Sequence, residues 1–214
     1  MWLETPVFAQ DLENFCGAAF IPWEKLRRKT IFITGATGLI GYTLVSGLLY
    51  ASRKRGLDIK VLALVRSLPK AQEKYAAQLA DGNDLQFVVG SVEQLPPIAG
   101  PIDYIVHGAS QTASRAFVEH PVETINTAVN GTQNILELAR QKQVQGMVYL
   151  SSMEVYGQVQ EPRLLAETDL GDLDSMQLRS SYPQGKRMSE TLCAAYAAEY
   201  GVPVAVARLA QTFG

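Results

Sequence analysis

"TIFITGATGLIG", residues 30–41, decides how the rest of the chain is read. The β-branched and aromatic run 30–34 reads as a short buried strand, and apolar residues recur at helical intervals from Leu39 to about Ser52. Between them Gly35, Gly38 and Gly41 stand three apart. At a strand-to-helix turn of this kind the chain reverses sharply, and the N–H groups of the helix N-terminus can approach a pyrophosphate only where no Cβ intervenes. Glycines that merely serve the turn are the alternative. Their place after the first strand and before a helix of crossover length favours nucleotide binding, with Gly35, Thr37, Gly38, Leu39, Ile40 and Gly41 as the contacts.

Working outward, strands are expected at 59–65, 85–90, 102–110, 146–152 and 202–209, and helices at 69–80, 122–141 and 181–200. Apolar strands alternating with helices pair in parallel and need long right-handed crossovers. The expected fold class is therefore α/β, a Rossmann-like doubly wound parallel sheet of about six strands with helices on both faces. Residues 1–29 precede it as a helical extension, with Asp11 as cap and a second short element opened by Pro22; residues 30–214 form the dinucleotide-binding domain. The stretch 158–180 lacks periodicity, and a loop of that length is more often functional than neutral.

Bulk properties narrow the partners. The 214 residues are 47% hydrophobic and 19% charged, as a soluble globular domain requires, and 19 basic against 21 acidic residues leave a net charge of −2. Mixed charge of that size gives no electrostatic case for nucleic acid or an anionic membrane, and points to a small-molecule partner. Cys16 and Cys193 share no metal-type spacing, so no metal site is expected and a reducing cytoplasm suits the chain. The first sixteen residues lack the basic and apolar segments of a signal peptide. The apolar window 31–51 is broken by glycines and hydroxyls and does not read as a membrane span.

The second informative stretch is "SSYPQGKR", residues 180–187. Ser181 with Gln184 has the form of a capping box, and Pro183 is tolerated in a first turn, so a helix starts here. Tyr182 and Lys186 then share one helix face, about 5 to 6 Å apart at Cβ. A phenol with a reference pKa of about 10 is a poor base at neutral pH, and a neighbouring ammonium brings it toward the working range. Gly185 inside a helix costs about 1 kcal/mol against alanine, which hints that a side chain there would collide with a neighbour.

These motifs together resemble the extended short-chain dehydrogenases and reductases, the NAD-dependent epimerase/dehydratase family of nucleotide-sugar enzymes. The resemblance rests on TGxxGxxG at Thr34 to Gly41, Tyr182 and Lys186 after strand five, "VHGAS" (106–110), "HPVETINTAVNGTQNILELA" (120–139) and "SSMEVYG" (151–157). It implies that the glycine turn binds NAD or NADP and that Gly108, Ala109 and Ser110 lie beside the cofactor. Ser91 and Val92 occupy the place of an acidic and an apolar residue near the adenine. Arg66 stands where a ribose-binding carboxylate is expected, so NADP stays open beside NAD, with an exposed strand-end arginine as the equal alternative. By the same resemblance Tyr182 takes a proton from a sugar hydroxyl, Lys186 holds the nicotinamide ribose, Ser152 hydrogen-bonds the sugar O4, and Glu154 serves C5 chemistry or positions the ring. Ser151 is structural, and Tyr156 and Gly157 shape the turn. The family's asparagine that supports the lysine is replaced by Ala128, with Asn126 and Asn130 nearby, while His107 is a packed strand-end histidine rather than a catalyst.

The implied activity is modification of a nucleotide-activated sugar through a 4-keto intermediate, by an epimerase, dehydratase or decarboxylase. Met153 stands where dehydratases carry an acidic aspartate, which leans the reading toward the decarboxylase or epimerase side. The alternatives are an NADPH-dependent keto-sugar or carbonyl reductase and, in another class, a non-catalytic dinucleotide-binding protein. Helices 122–141 and 181–200 resemble the elements of a four-helix homodimer interface. "ARLAQTFG" (207–214) resembles R-x-x-N-x-Y-G-P, with Gln211 and Phe213 substituted. A C-terminal substrate domain would follow it, so the chain is expected to be a truncated cofactor-binding portion, inactive alone.

Overall fold

The computed structural model describes residues 5–159 and 163–212. Strands β1 (Thr30–Thr34), β2 (Lys60–Val65), β3 (Leu85–Val89), β4 (Tyr104–His107), β5 (Gly146–Ser152) and β6 (Val204–Leu209) form one parallel sheet in the order β3-β2-β1-β4-β5-β6. This is the expected doubly wound sheet. The order reverses between β1 and β4, so the connections leaving those two strands diverge and open a crevice beyond their carboxyl ends.

The pleat divides the core in two. Ile31 and Ile33 of β1 face the layer of Val45, Leu49 and Tyr75, while Phe32, pointing the other way, packs with Ile135, Leu136, Met147 and Tyr149. Helices therefore cover both faces. The first face carries α1 (Pro6–Gly17), α2 (Leu39–Arg55), α3 (Leu68–Lys74) and α4 (Ala76–Ala80), and the second carries α6 (Pro121–Lys142) and α7 (Ser181–Tyr200). Among the described residues no helix is long and apolar enough to cross a membrane.

Several boundaries differ from the sequence expectation, each for a local reason. α1 starts six residues earlier than an Asp11 cap implied, because Thr5 Oγ1 accepts from the Phe8 N–H at 3.2 Å and Asp11 lies exposed within the helix. α1 seats itself against α2 where Gly47 leaves room: a Cβ there would meet the Phe15 ring at 2.8 Å. The extension is thus part of the core, with Leu12, Cys16 and Trp23 buried in it.

The helix expected at 69–80 breaks at Tyr75, whose φ of −103° and ψ of 17° leave the helical region. The buried Tyr75 hydroxyl donates to the Ala36 carbonyl at 2.6 Å, a tertiary bond that ties the break to the glycine turn. β4 spans four residues rather than nine, and the unforeseen helix α5 (Ser114–Glu119) follows it. Pro121 at the first turn of α6 separates the two helices. The capping box at α7 does not form. Ser180 is the N-cap without a side-chain bond, the Ser181 hydroxyl donates to the Phe117 carbonyl at 2.9 Å, and Gln184 donates to Ser175 at 3.2 Å.

Candidate active site

The crevice at the strand-order reversal has two joined halves of about 380 and 560 Å³, which share Gly35, Gly38, Gly108, Ser110 and Thr112. That size suits an extended small molecule. Arg66, Ser91, Val92 and Ala109 line the first half with Thr37, whereas Leu39, Ile40, Gly41, Ser152, Glu154, Tyr182 and Lys186 line the second. Every residue singled out from the sequence as a contact or catalyst borders this one space.

The glycine turn is demanded first by the chain itself. Gly35 adopts φ 71°, and a Cβ there would lie 2.6 Å from the Gly108 carbonyl group; at Gly41 it would lie 2.2 Å from the Gly35 carbonyl oxygen. The turn, β4 and α2 therefore meet at backbone contact. α2 opens at Gly38 with no side-chain cap, so its first N–H groups are left without the usual side-chain partner and border the crevice. An uncapped N-terminus of a 17-residue helix is an anion site by construction, and it fits the pyrophosphate of a dinucleotide.

Around the adenine-side half, the Ser91 hydroxyl accepts from the Gln94 N–H at 3.2 Å, and Val92 packs where Gly131 lacks a side chain. Glu93, Gln111, Thr112 and Thr127 also line this half and were not foreseen. Glu93, Gln111 and Thr112 fall on connections without periodicity and Thr127 on α6, so only the fold brings the four together. Arg66 is exposed at the rim, and no carboxylate follows β2 before α3.

In the second half the Ser152 and Ser110 hydroxyls approach the Tyr182 phenol and favour its ionised form. Burial raises the Tyr182 phenol above its ordinary value; the two hydroxyls and the Arg179 charge work downward, and the Glu154 charge works upward. Lys186 lies on the Tyr182 side of α7. Its Nζ lies 5.8 Å from the Tyr182 ring centroid and donates to the Leu150 carbonyl at 2.7 Å. Burial pulls the Lys186 pKa down to about 8, opposed by the Glu190 charge.

That Leu150 carbonyl is the lysine's support in this chain. Asn126 and Asn130 are exposed and bond to each other at 3.1 Å, away from Lys186. Ala128 instead forms the contact between α6 and α7: a Cβ at Gly185 would lie 2.9 Å from the Ala128 Cβ, which accounts for the helical glycine. His107 is buried between Thr34 (2.7 Å) and Thr132 (3.1 Å), and burial, aided by the Lys186 charge, lowers its pKa to about 3. A neutral imidazole with both nitrogens engaged is a packing element.

Ser152 caps the 3-10 turn Met153–Tyr156 by accepting from the Glu154 N–H at 3.2 Å. Its neighbour Ser151 donates to Glu190 at 2.6 Å, and Glu190 pairs with Arg208 at 2.7 Å, a structural cluster behind the sheet end. Glu154 is ion-paired with Arg179, a residue that no motif or spacing singled out. Phe213, in the motif at the chain's end, lies outside the described residues. Among the described residues no group of three His, Cys, Asp or Glu could hold a metal.

A doubly wound sheet whose switch-point crevice joins a glycine turn to a serine, tyrosine and lysine defines a Rossmann-like domain of the dinucleotide-binding type. More narrowly, the chain belongs to the NAD dependent epimerase/dehydratase family, whose profile matches residues 31–214. It is similar to UDP-glucuronic acid decarboxylase 1 of Xenopus tropicalis, 29% identical over 87% of this chain and 42% of the relative. To UDP-glucuronic acid decarboxylase 6 of Arabidopsis thaliana it is 36% identical over 55% of this chain and 34% of that one. Among solved structures it resembles the dTDP-glucose 4,6-dehydratase DesIV of Streptomyces venezuelae, crystallised with NAD, at TM-score 0.66 and 26% identity. That match covers 84% of this chain and 55% of the other. UDP-glucuronic acid 4-epimerase of Bacillus cereus shares the fold at TM-score 0.66 and 21% identity, over 84% and 55% of the two chains. The chain thus spans about 42% of the length of the first of these curated relatives.

Proposed function

We propose that residues 30–214 form the cofactor-binding part of an enzyme that modifies a nucleotide-activated sugar through a 4-keto intermediate, with NAD as the dinucleotide. The observation that carries this reading is that Tyr182, Ser152 and Lys186 line a crevice continuous with the uncapped N-terminus of α2. The names of the relatives and neighbours, all nucleotide-sugar enzymes, support it.

In this reading Gly35, Thr37, Gly38, Leu39, Ile40 and Gly41 hold the pyrophosphate. Arg66, Ser91 and Val92 border the adenosine, and Gly108, Ala109 and Ser110 form the floor at the switch point. A bound nicotinamide dinucleotide supplies the hydride acceptor and donor, and a positive charge when oxidised. Tyr182 takes the proton of the sugar O4 while Ser152, on the same wall of the crevice, orders the same oxygen. Lys186, fixed on Leu150, holds the nicotinamide ribose. The 4-ketone acidifies C5, and Glu154 at the wall of the crevice serves that position.

Glu154 with Met153 before it favours decarboxylation or epimerisation over 4,6-dehydration, and a UDP-hexuronic acid is the first substrate to try. Arg66, without a carboxylate at the end of β2, favours a second reading in which NADP binds as well as NAD and a keto-sugar is reduced. A homodimer through α6 and α7 is supported by Val122, Ile125 and Met188, exposed apolar side chains on two helices packed against each other. Buried free thiols at Cys16 and Cys193 suit a cytoplasmic location.

Calorimetric titration with NAD and NADP, then nicotinamide fluorescence during incubation of the complete protein with UDP-glucuronic acid and other nucleotide sugars, tests the reading. Binding of NAD and transient reduction of the nicotinamide are expected. Failure to bind either dinucleotide overturns it, and binding without turnover of any nucleotide sugar favours a non-catalytic role.

A further inference from the structure

Arg179 joins groups that the sequence keeps far apart. It sits on the 3-10 turn Leu178–Ser180 leading into α7, and its Nη2 donates to Glu154 Oε1 at 3.0 Å and lies 2.9 Å from Oε2. The same guanidinium lies over the Phe117 ring, 4.8 Å from the centroid. Phe117 in turn stacks on Tyr182, with centroids 4.3 Å apart and planes within 7°. Carboxylate, guanidinium, phenyl and phenol form one continuous column.

The column is anchored at its middle. Phe117 is 2% exposed, and its carbonyl accepts from the Ser181 hydroxyl, which ties α5 to the start of α7. Its outer end is different. The Arg179 and Glu154 side chains are 43% and 31% exposed, and an ion pair in that setting adds little to folding stability. The geometry, not the stability, is what the pair contributes. A planar guanidinium can grip a carboxylate at its edge while lying on an aromatic face, which an ammonium cannot do in the same way.

We propose that Arg179 is a positioning residue for the reaction: it holds the Glu154 carboxylate at the crevice wall and, through Phe117, fixes the ring of Tyr182. The proposal rests on the reading of the crevice as a sugar-modifying site. It makes one side chain responsible for the relative placement of the two groups that handle protons at neighbouring carbons of the sugar. It also gives the aperiodic stretch before α7 a task, since that stretch delivers Arg179.

The charges facing Tyr182 come from three elements: Glu154 on the turn after β5, Arg179 on the turn before α7, and Lys186 on α7 itself, beside the hydroxyls of Ser152 and Ser110. Arg179 favours the phenolate and Glu154 opposes it. Removing the guanidinium withdraws the first influence and leaves the second uncompensated.

Two measurements test this. In the chain without substrate, NMR of 13Cζ-labelled tyrosine, with Tyr182→Phe to assign the signal, follows the phenol titration. Arg179→Met moves its midpoint to higher pH, and Arg179→Lys, which keeps the charge, returns it toward wild type. An unmoved midpoint in Arg179→Met overturns the proposal. In the complete protein, Arg179→Met lowers kcat at least tenfold while the NAD Kd stays within twofold. The Arg179→Met, Glu154→Gln double variant loses no more than the worse single variant, as coupled groups require. Losses that multiply overturn the coupling. A wild-type protein that turns over no nucleotide sugar overturns the functional reading instead, and the tyrosine titration then decides the Arg179 proposal alone.

Discussion

Gly185 of α7 lies directly against Ala128 of α6, where a Cβ on the glycine would come within 2.9 Å of the alanine Cβ. The contact lets the two helices approach at the turn that carries both Tyr182 and Lys186. Gly185→Ala gains about 1 kcal/mol of helix propensity and forces the helices apart. The expected outcome is weaker NAD binding with little change in thermal stability, recovered in the Gly185→Ala, Ala128→Gly double variant. Calorimetry on the three proteins checks this; a double variant that binds no better than the single one would show that the contact does not set the site.

The glycine turn should respond unequally to added methyl groups. At Gly41 the new Cβ meets backbone on three sides, at 2.2, 2.7 and 2.9 Å, whereas at Gly38 its one neighbour is the Gly35 oxygen at 3.2 Å. Backbone cannot swing away as a side chain can, so Gly41→Ala is expected to cost about 1–3 kcal/mol or more in stability and to abolish NAD binding. Gly38→Ala is expected to fold with a milder loss of affinity. Thermal melts with and without NAD separate the two, and equal effects would contradict the packing argument.

Lys186 makes folding stability depend on alkaline pH. Its folded pKa of about 8 lies below the ordinary 10.5, so between those values the unfolded chain binds more protons than the folded one. Stability contributed by this group rises as pH goes from 8 to 10.5, as the cost of burying the charge is relieved. Lys186→Met removes that rise. Urea midpoints of both proteins at pH 7.5 and 10 give the comparison, and parallel changes would refute a depressed lysine.

His107 acts at the acid end. Buried as the neutral form with a pKa of about 3, against an ordinary 6.5, it binds fewer protons folded than unfolded throughout that window. Stability therefore falls as pH drops from 6.5 toward 3. His107→Phe is expected to start less stable, because Thr34 and Thr132 lose their partner, but to fall less steeply with acid. Denaturant midpoints at pH 7 and 4.5 decide it, with an equal slope counting against the buried-neutral assignment.

The fold was legible because its signals are local and repeated. Strand β1 alternates Ile31 and Ile33 with Phe32, and each later strand is bounded by turn residues, so element order and parallel pairing followed. What escaped was decided by tertiary contact. Tyr75 breaks a periodic helix to reach Ala36, and Ser181, placed to cap α7, spends its hydroxyl on Phe117. Neither partner is near in sequence.

The sequence by itself determined the doubly wound sheet, the glycine turn and many of the residues that border one crevice, since each rests on residue type at fixed spacing. The tertiary structure alone decided how those residues are held. Leu150 rather than an asparagine supports Lys186, and burial is the largest influence on the Tyr182 phenol. Arg179 and Phe117 complete the site from segments 62 residues apart in numbering. Spacing along a helix fixes which side chains share a face, but partners, burial and charge come from chain segments that meet only when the sheet has closed.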